Sequence, residues 1–135
     1  MSSEPVSEED LREKVANKGK FEDILYHYEG EKKVQSKAIT YYEVIDTNIN
    51  YSLLQLTPYT GRKHQIRKQL SMRGHPIIGD HKYKINNKDI NKKNKLMLHA
   101  YKIFFTINNI KYIFCADIPE DFENMIKQKY LKIVF

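Results

Sequence analysis

Residues 56–83 read LTPYTGRKHQIRKQLSMRGHPIIGDHKY, and this stretch decides how the rest of the chain is interpreted. It is strongly cationic: between Thr60 and Lys84 there are seven Lys or Arg, three His and a single acid, Asp80. Pro58 and Gly61 interrupt the strand pattern before them, so Thr60 or Gly61 is expected to cap a helix over 61–73. The unpaired N–H groups at the start of that helix would attract a phosphate.

The predicted helix has one apolar side and two basic sides. Ile66 and Leu70 share the side that packs, whereas Lys63 and Arg67 share a side that would face a polyanion. Gly74 should end the helix, because glycine readily adopts the left-handed conformation found at helix ends. The spacing therefore predicts a short amphipathic helix with its charges turned toward an acidic ligand.

Strand patterns lie on both sides of this region. Residues 38–45 and 51–56 are rich in β-branched and aromatic side chains, which predicts an antiparallel hairpin leading into the helix. Residues 96–107 and 110–116 predict a second hairpin through Asn108-Asn109, because Asn tolerates positive φ. A further helix is expected from Pro119 through Ile126. The tail, 130–135, is either a last strand or a docking segment.

Residues 1–36 form an acidic N-terminal segment that we predict to be partly helical. Residues 1–31 contain nine acids against four bases. Helices are predicted over 8–17 and over 21–28, where apolar side chains recur at helical spacing. We therefore divide the chain into this segment and a globular portion, residues 37–135.

Composition limits the class of protein. The chain has 135 residues, a net charge of +6 and a pI near 9.2, which suits one domain with a polyanionic partner. The single cysteine, Cys115, excludes an intrachain disulfide, and the five histidines are too scattered for a metal site. No apolar run approaches the roughly 18 residues that span a bilayer. We expect no membrane association and a cytoplasmic location.

The central stretch resembles motif III of the RluA-type RNA pseudouridine synthases. The matching segments are TGRKHQIR at 60–67, GHPI at 74–77, GD at 79–80, Tyr83, and LHA at 98–100. The resemblance covers roughly residues 37–123. It implies an α+β fold, with a largely antiparallel mixed sheet and packed helices, as part of the family's catalytic domain. It also implies an isomerase that converts uridine to pseudouridine in RNA, with large-subunit ribosomal RNA as the expected substrate and no cofactor.

The resemblance also implies roles for individual residues. Arg67 would pair with the catalytic aspartate and keep it ionised, which suits a bidentate guanidinium. Ile66 would lie against the flipped uracil ring, and an ordinary core position is the equal alternative. The residues expected to bind RNA are Arg62, Lys63, His64, Gln65, Lys68, Lys82 and Lys84. Lys84 opens a Lys/Asn-rich stretch, 84–95, that is either an RNA-contacting arm or a solvated loop.

The family's catalytic aspartate lies in a His-Arg-Leu-Asp motif followed by Thr-Ser-Gly, and this chain has no such motif. In the family that motif precedes motif III, so the chain is expected to carry the C-terminal part of the catalytic domain. The isolated chain should be inactive without a nucleophile. It is expected to be either an excised or degraded portion of a synthase or the product of a split gene, and in the second case a companion chain would supply the nucleophile. The alternative is a non-catalytic RNA-binding module. A DNA-binding function with 61–73 as recognition helix is disfavoured, because two strands precede that helix.

A partial domain also has consequences for assembly. A half-sheet without its partner strands exposes a strand edge and an apolar face. We therefore expect self-association or strand exchange in addition to the companion chain.

Overall fold

The computed structural model describes residues 17–84 and 94–133. The first sheet has three strands in the order β1 (Lys18–Glu29), β2 (Lys32–Thr47) and β3 (Ser52–Pro58). The elements that follow are α1 (Gln65–Met72), the paired strands β4 (Lys102–Ile107) and β5 (Ile110–Cys115), and α2 (Glu120–Gln128). All strand pairs among these elements are antiparallel. This architecture confirms the predicted α+β fold class.

The predicted helix over 21–28 is wrong, because these residues lie in β1. Each residue of β1 has a partner on β2 in one continuous antiparallel register. Phe21 and Leu25 misled the sequence analysis, since residues four apart share a side in a helix and in a strand. A short helix gains little stability by itself, whereas β2 offers a long β-branched partner. The predicted helix over 8–17 falls, apart from Asn17, outside the described residues.

Strands β2 and β3 confirm the predicted hairpin of 38–45 with 51–56. The register shifts just after Val44, which marks a β-bulge and bends β2. Asn48 closes the turn by accepting the backbone N–H of Tyr51 on its Oδ1 (3.0 Å). Strand β3 then delivers the chain to the loop before α1.

Helix α1 packs on one face of the first sheet through a buried amide. The side chain of Gln69 is fully buried, and its Nε2 donates to the Ala38 carbonyl (3.1 Å) and to Asp23 Oδ2 (3.0 Å). Its Oε1 accepts a hydrogen bond from Thr40 Oγ1 (2.5 Å). Leu70, 6% exposed, adds apolar contact beside it. Because an unpaired buried amide is costly, these bonds fix where the helix lies along β1 and β2.

The second sheet is shorter than predicted, since 96–101 lies outside β4. The predicted turn is confirmed: Asn108 (φ 52°) and Asn109 (φ 65°) both have positive φ. The predicted second helix is confirmed as α2, which begins directly after Pro119. Of the two helices described, neither has the length and apolar character needed to cross a membrane.

The C-terminal tail docks onto the turn between β2 and β3. Leu131 of the tail and Ile126 of α2 are both buried. The backbone N–H of Lys132 donates to Asp46 Oδ2 (2.7 Å), and Asn48 Nδ2 donates to the Lys129 carbonyl (2.8 Å). Up to residue 133 the tail is therefore a docking segment and not a strand.

Gly79 gives a test of the close approach between 75–84 and 94–101. It has φ +83°, and an added Cβ would collide with the Lys95 carbonyl, whereas Gly74 has φ +79° and open space around it. We expect Gly74→Ala to lower the free energy of unfolding by about 1 kcal/mol, the cost of a left-handed backbone. Gly79→Ala should lower the free energy of unfolding by roughly 1–3 kcal/mol more than Gly74→Ala, because the backbone at Lys95 must move to make room for the added Cβ. Urea unfolding measures both losses, and equal losses would contradict the close approach.

Candidate functional site

Helix α1 begins about one turn later than predicted. Its N-cap is His64, which has the left-handed conformation (φ 53°, ψ 32°), and not Thr60 or Gly61. Gln65 accounts for the later start, because its Oε1 accepts hydrogen bonds from Thr60 Oγ1 (2.6 Å) and the Arg62 backbone N–H (3.0 Å). The first side chain of the helix thereby closes the loop in front of it.

The same amide joins that loop to β2. Nε2 of Gln65 donates to the Ile39 carbonyl and to Thr40 Oγ1, both at 2.9 Å. Thr60 Oγ1 accepts the backbone N–H of Ile39 (2.9 Å), so β2 is bonded both to the loop and to the first residue of the helix. Gln65 is only 4% exposed. It organises the loop and has little exposed side chain to offer RNA, which differs from its predicted role.

Arg67 and Asp80 form a bidentate ion pair. Arg67 Nε lies 3.0 Å from Asp80 Oδ2, and Nη2 lies 2.9 Å from Oδ1. Oδ1 also accepts the backbone N–H groups of Lys82 (3.1 Å) and Tyr83 (3.0 Å). The hydrogen bond from Arg67, helped by the backbone N–H groups, lowers the pKa of Asp80 to about 2, although burial opposes the shift. Asp80 is therefore ionised at neutral pH and holds Arg67 in one orientation.

Arg67 retains the capacity to bind a second acid. A guanidinium carries more N–H donors than the two that bond Asp80. Its side chain is 19% exposed, whereas that of Asp80 is completely buried. The predicted pairing of Arg67 with a catalytic aspartate is thus sterically compatible with the pair seen here, and that pairing stays a prediction.

His64 and Tyr83 lie against the same arginine. His64 Nδ1 is 2.7 Å from Tyr83 Oη, and the Arg67 guanidinium carbon is 5.0 Å from the centre of the Tyr83 ring. Desolvation is the main cause that lowers the pKa of His64, and the charges of Arg67, Lys82 and Lys63 act in the same direction. The neutral form of the imidazole is therefore favoured, and it can share a hydrogen bond with the phenol.

The predicted RNA-binding cations gather around this cluster. Lys63, Lys68 and Lys82 are near enough to His64 for their charges to lower its pKa. All of the predicted RNA-binding cations are exposed or partly exposed: Arg62, Lys63, Lys68, Lys82 and Lys84. Across residues 17–84 and 94–133, no group of three or more His, Cys, Asp or Glu side chains is placed to hold a metal ion. The site is a cationic surface around one fixed arginine.

Arg62 and Ile66 lie at the margin of this surface. Arg62 Nε donates to the Lys37 carbonyl of β2 (3.1 Å), so part of its bonding capacity is used by the sheet. Ile66 is partly exposed. Its position therefore leaves a face open for an apolar ligand, and the contact with a flipped base stays a prediction.

Sequence reasoning missed the acid partners of two arginines. Besides Arg67 with Asp80, Arg73 Nη1 lies 2.7 Å from Asp23 Oδ2, and the Arg73 guanidinium carbon lies 4.3 Å from the Phe21 ring centre. Asp23 sits in the segment that was misassigned as a helix, so no local signal pointed to this pair. For Asp80 a signal existed, because it is the single acid among seven cations in its stretch.

Comparisons with known proteins agree with the motif. The model of the RNA pseudouridylate synthase family matches residues 5–72. RNA pseudouridine synthase 4, mitochondrial, of Arabidopsis thaliana is 44% identical over 75 residues, which is 54% of this chain and 16% of that protein. Ribosomal large subunit pseudouridine synthase C of Buchnera aphidicola is 37% identical over 110 residues, covering 78% of this chain and 33% of the relative. tRNA pseudouridine synthase C of Haemophilus ducreyi is 37% identical over 90 residues, 55% of this chain and 37% of that one.

A solved structure gives the same fold. Human RNA Pseudouridylate Synthase Domain Containing 4 superposes with a TM-score of 0.72 at 22% identity, over 88% of this chain and 59% of that one. This chain therefore spans little more than half of that structure. It spans 16% to 37% of the length of the three curated relatives described above.

The ion pair of Asp80 predicts how stability depends on pH. The carboxyl has a pKa of about 2 in the fold and about 3.9 when unfolded. Its ionisation therefore adds roughly 2–3 kcal/mol to the free energy of unfolding above pH ~4, and this contribution is lost as pH falls toward 2. Asp80→Asn should therefore lower the free energy of unfolding by about 2 kcal/mol or more at pH 7. Its difference from the wild type should shrink between about pH 4 and pH 2.

Urea unfolding at several pH values makes this measurement. Asp121→Asn is the control, because Asp121 is exposed and lies 3.7 Å from Lys95 in a surface pair of little worth. A loss for Asp80→Asn that is unchanged at low pH would show that the carboxylate charge is not what stabilises the fold.

Proposed function

Since the chain belongs to the RNA pseudouridylate synthase family, we propose that it forms the C-terminal part of a catalytic domain that isomerises uridine to pseudouridine in RNA. Large-subunit ribosomal RNA is the proposed substrate. Relatives whose names refer to the ribosomal large subunit support this choice, and those named for tRNA give the alternative substrate. The reaction breaks the bond from N1 of uracil to C1′ of the ribose. After rotation C1′ is joined to C5, which releases its proton, and N1 takes up a proton in its place.

The observation that carries this proposal is the fixed arginine in a cationic surface. Asp80 and the Tyr83 ring hold Arg67 from two sides, so it needs no reorganisation to receive a carboxylate. Such a partner would be kept ionised, as a nucleophile requires. Lys63, Lys68 and Lys82 would bind the phosphates on either side of the target nucleotide.

We propose that the nucleophile comes from outside this chain. In the part of the chain that the structure describes, two acids bond the side chains of α1 and its C-cap, and each is a bidentate partner of arginine: Asp80 of Arg67, and Asp23 of Arg73 with distances of 2.7 and 3.3 Å. The Asp80 side chain is completely buried and that of Asp23 is 14% exposed, so neither carboxylate is placed to reach a substrate base. Asp80 therefore acts as support for Arg67, and the isolated chain is inactive.

A companion polypeptide is the proposed source of the missing aspartate, and the second sheet is the surface that it would cover. One face of β4–β5 is wholly apolar, with side chains 36% to 59% exposed. The cross-strand pairs on this face are Ile103 with Phe114, Phe105 with Tyr112, and Ile107 with Ile110. A two-stranded hairpin is marginally stable without a covered face. When the companion is absent, we propose that copies of this chain associate through it.

Activity should appear only after complementation. We expect tritium release from 5-tritiated-uridine ribosomal RNA by this chain mixed with a polypeptide that carries the His-Arg-Leu-Asp motif, and none by either part alone. Arg67→Ala should reduce release by about a hundredfold or more, because a preorganised cation is lost. Arg73→Ala is the matched control. It breaks the ion pair between Arg73, at the end of α1, and Asp23, and it should retain most activity at a temperature where the variant is folded.

Two results would change the interpretation. Release by this chain alone would contradict the absent nucleophile. No release in the mixture, with salt-sensitive RNA binding retained, would favour a non-catalytic RNA-binding module instead.

The apolar face of β4–β5 predicts self-association. The wild type should sediment as a larger species as its concentration rises, because buried apolar area is gained on association. Ile103→Lys places a charge on this face and should shift the species toward monomer, whereas Thr106→Lys lies on the opposite face of β4 and should sediment like the wild type. A clean wild-type monomer at high concentration would contradict the expected association.

A further inference from the structure

The first sheet has a second face that α1 does not cover. On the covered face Leu25, Ala38 and Thr40 are at most 6% exposed. On the other face Tyr26 of β1 and Tyr41 of β2 are both 48% exposed, and Tyr28, also on β1, is 69% exposed. We call the outward side of β1 and β2, with these three tyrosines, the tyrosine face.

The pairing register fixes how the rings are arranged. Tyr26 and Tyr28 are successive residues on one side of β1, so their Cα atoms are about 7 Å apart. Tyr41 lies opposite Lys20, which is six positions from Tyr26 along β1, or about 20 Å. The tyrosine face therefore offers two adjacent rings and a third ring farther along the same strands.

Lysines share this side of the sheet with the rings. The register places four lysines and two glutamates on this side of the sheet: Lys18, Lys20, Lys33 and Lys37, with Glu22 and Glu43. Lys33 Nζ lies 4.4 Å above the Tyr26 ring, which sets a cation directly beside an aromatic plane. Lys20, Lys37 and Lys18 form ion pairs with the glutamates in which all side chains are substantially exposed. Such surface pairs are weak, so a phosphate can compete for the lysines.

We propose that the tyrosine face binds a single-stranded segment of the RNA substrate, with bases stacked on Tyr26, Tyr28 and Tyr41 and phosphates on the lysines of the same face. Exposed aromatic rings next to cations are what sequence-tolerant binding of single strands requires. Duplex RNA cannot use the rings, since its bases are already stacked. Four lysines lie on this face and none on the apolar face of β4–β5, so the tyrosine face favours a polyanion over an apolar protein partner.

This inference rests on the proposed function in one respect, that RNA is the substrate. It adds a surface on the opposite side of the sheet from α1. The RNA held there would be a segment separate from the target uridine, so it would strengthen binding without contacting the reacting base.

Fluorescence anisotropy with a labelled uridine oligomer of about eight nucleotides, single-stranded or annealed to its complement, tests the proposal. Tyr26→Ala and Tyr28→Ala should each raise the Kd for the single strand about tenfold. Tyr26→Phe and Tyr28→Phe keep the ring and should bind like the wild type. Tyr130→Ala is the control, because Tyr130 is 90% exposed and lies at the C-terminal end of the described chain.

Lys63→Ala with Lys68→Ala separates this face from the cationic surface around Arg67. Weaker binding in both sets of variants supports two surfaces. Weaker binding only in the lysine variants, or equal binding of single strand and duplex, overturns the tyrosine face and leaves the proposed function standing. A wild type that binds neither RNA at low salt overturns both.

Photo-crosslinking covers the case in which an alanine variant does not fold. A 4-thiouridine oligomer crosslinked to the wild-type chain should label peptides containing residues 26–28 and 41. Labels confined to 60–68 and 82–84 would overturn the proposal. Loss of the label on adding the companion polypeptide, with RNA still bound, would mean that protein covers this face, and that too would overturn it.

Discussion

The structure depends on two buried amides, those of Gln65 and Gln69, which bond helix α1 to β2. Both lie one helical turn apart on the side of α1 that faces the sheet, and both reach Thr40. A buried amide without partners would cost several kcal/mol, so the helix has few alternative positions. Among the described residues, all buried side-chain nitrogens and oxygens have hydrogen-bond partners. The need to hydrogen-bond the buried amides, more than the small apolar core, determines where the helix lies.

The hydrogen bonds of these two amides also fix the position of Arg67. It lies between the two glutamines on α1, so fixing the glutamines also fixes the direction in which its guanidinium leaves the helix. Asp80 then completes the arrangement from another part of the chain, where backbone N–H groups hold its carboxylate. A cation held by a buried carboxylate stays oriented without a ligand. That preorganisation is what an enzyme needs where negative charge must be stabilised.

Local signals predicted the parts of the fold that local chemistry decides. The β-branched runs predicted β2 and β3, Asn108-Asn109 predicted the turn of the second hairpin, and Pro119 predicted the start of α2. Local signals fail where a distant partner decides the structure. Strand β1 forms because β2 pairs with it, and α1 starts at Gln65 because that side chain closes the loop before it. The motif located the cationic surface, but the pairing of Arg67 with Asp80 became visible only with the chain folded.

The docked tail has a consequence for how this chain folds during synthesis. Asp46, near the end of β2, is bonded by a residue 86 positions later, and Asn48, in the turn that follows, by a residue 81 positions later. At ribosomal rates of about 5–20 residues per second, several seconds separate the emergence of the two sides. The first sheet and α1 can form in that interval, since their contacts lie within the first part of the chain. Docking of the tail is therefore a late step in folding. Removal of residues 129–132 would leave Asp46 and Asn48 without these hydrogen bonds, although both are synthesised long before the tail.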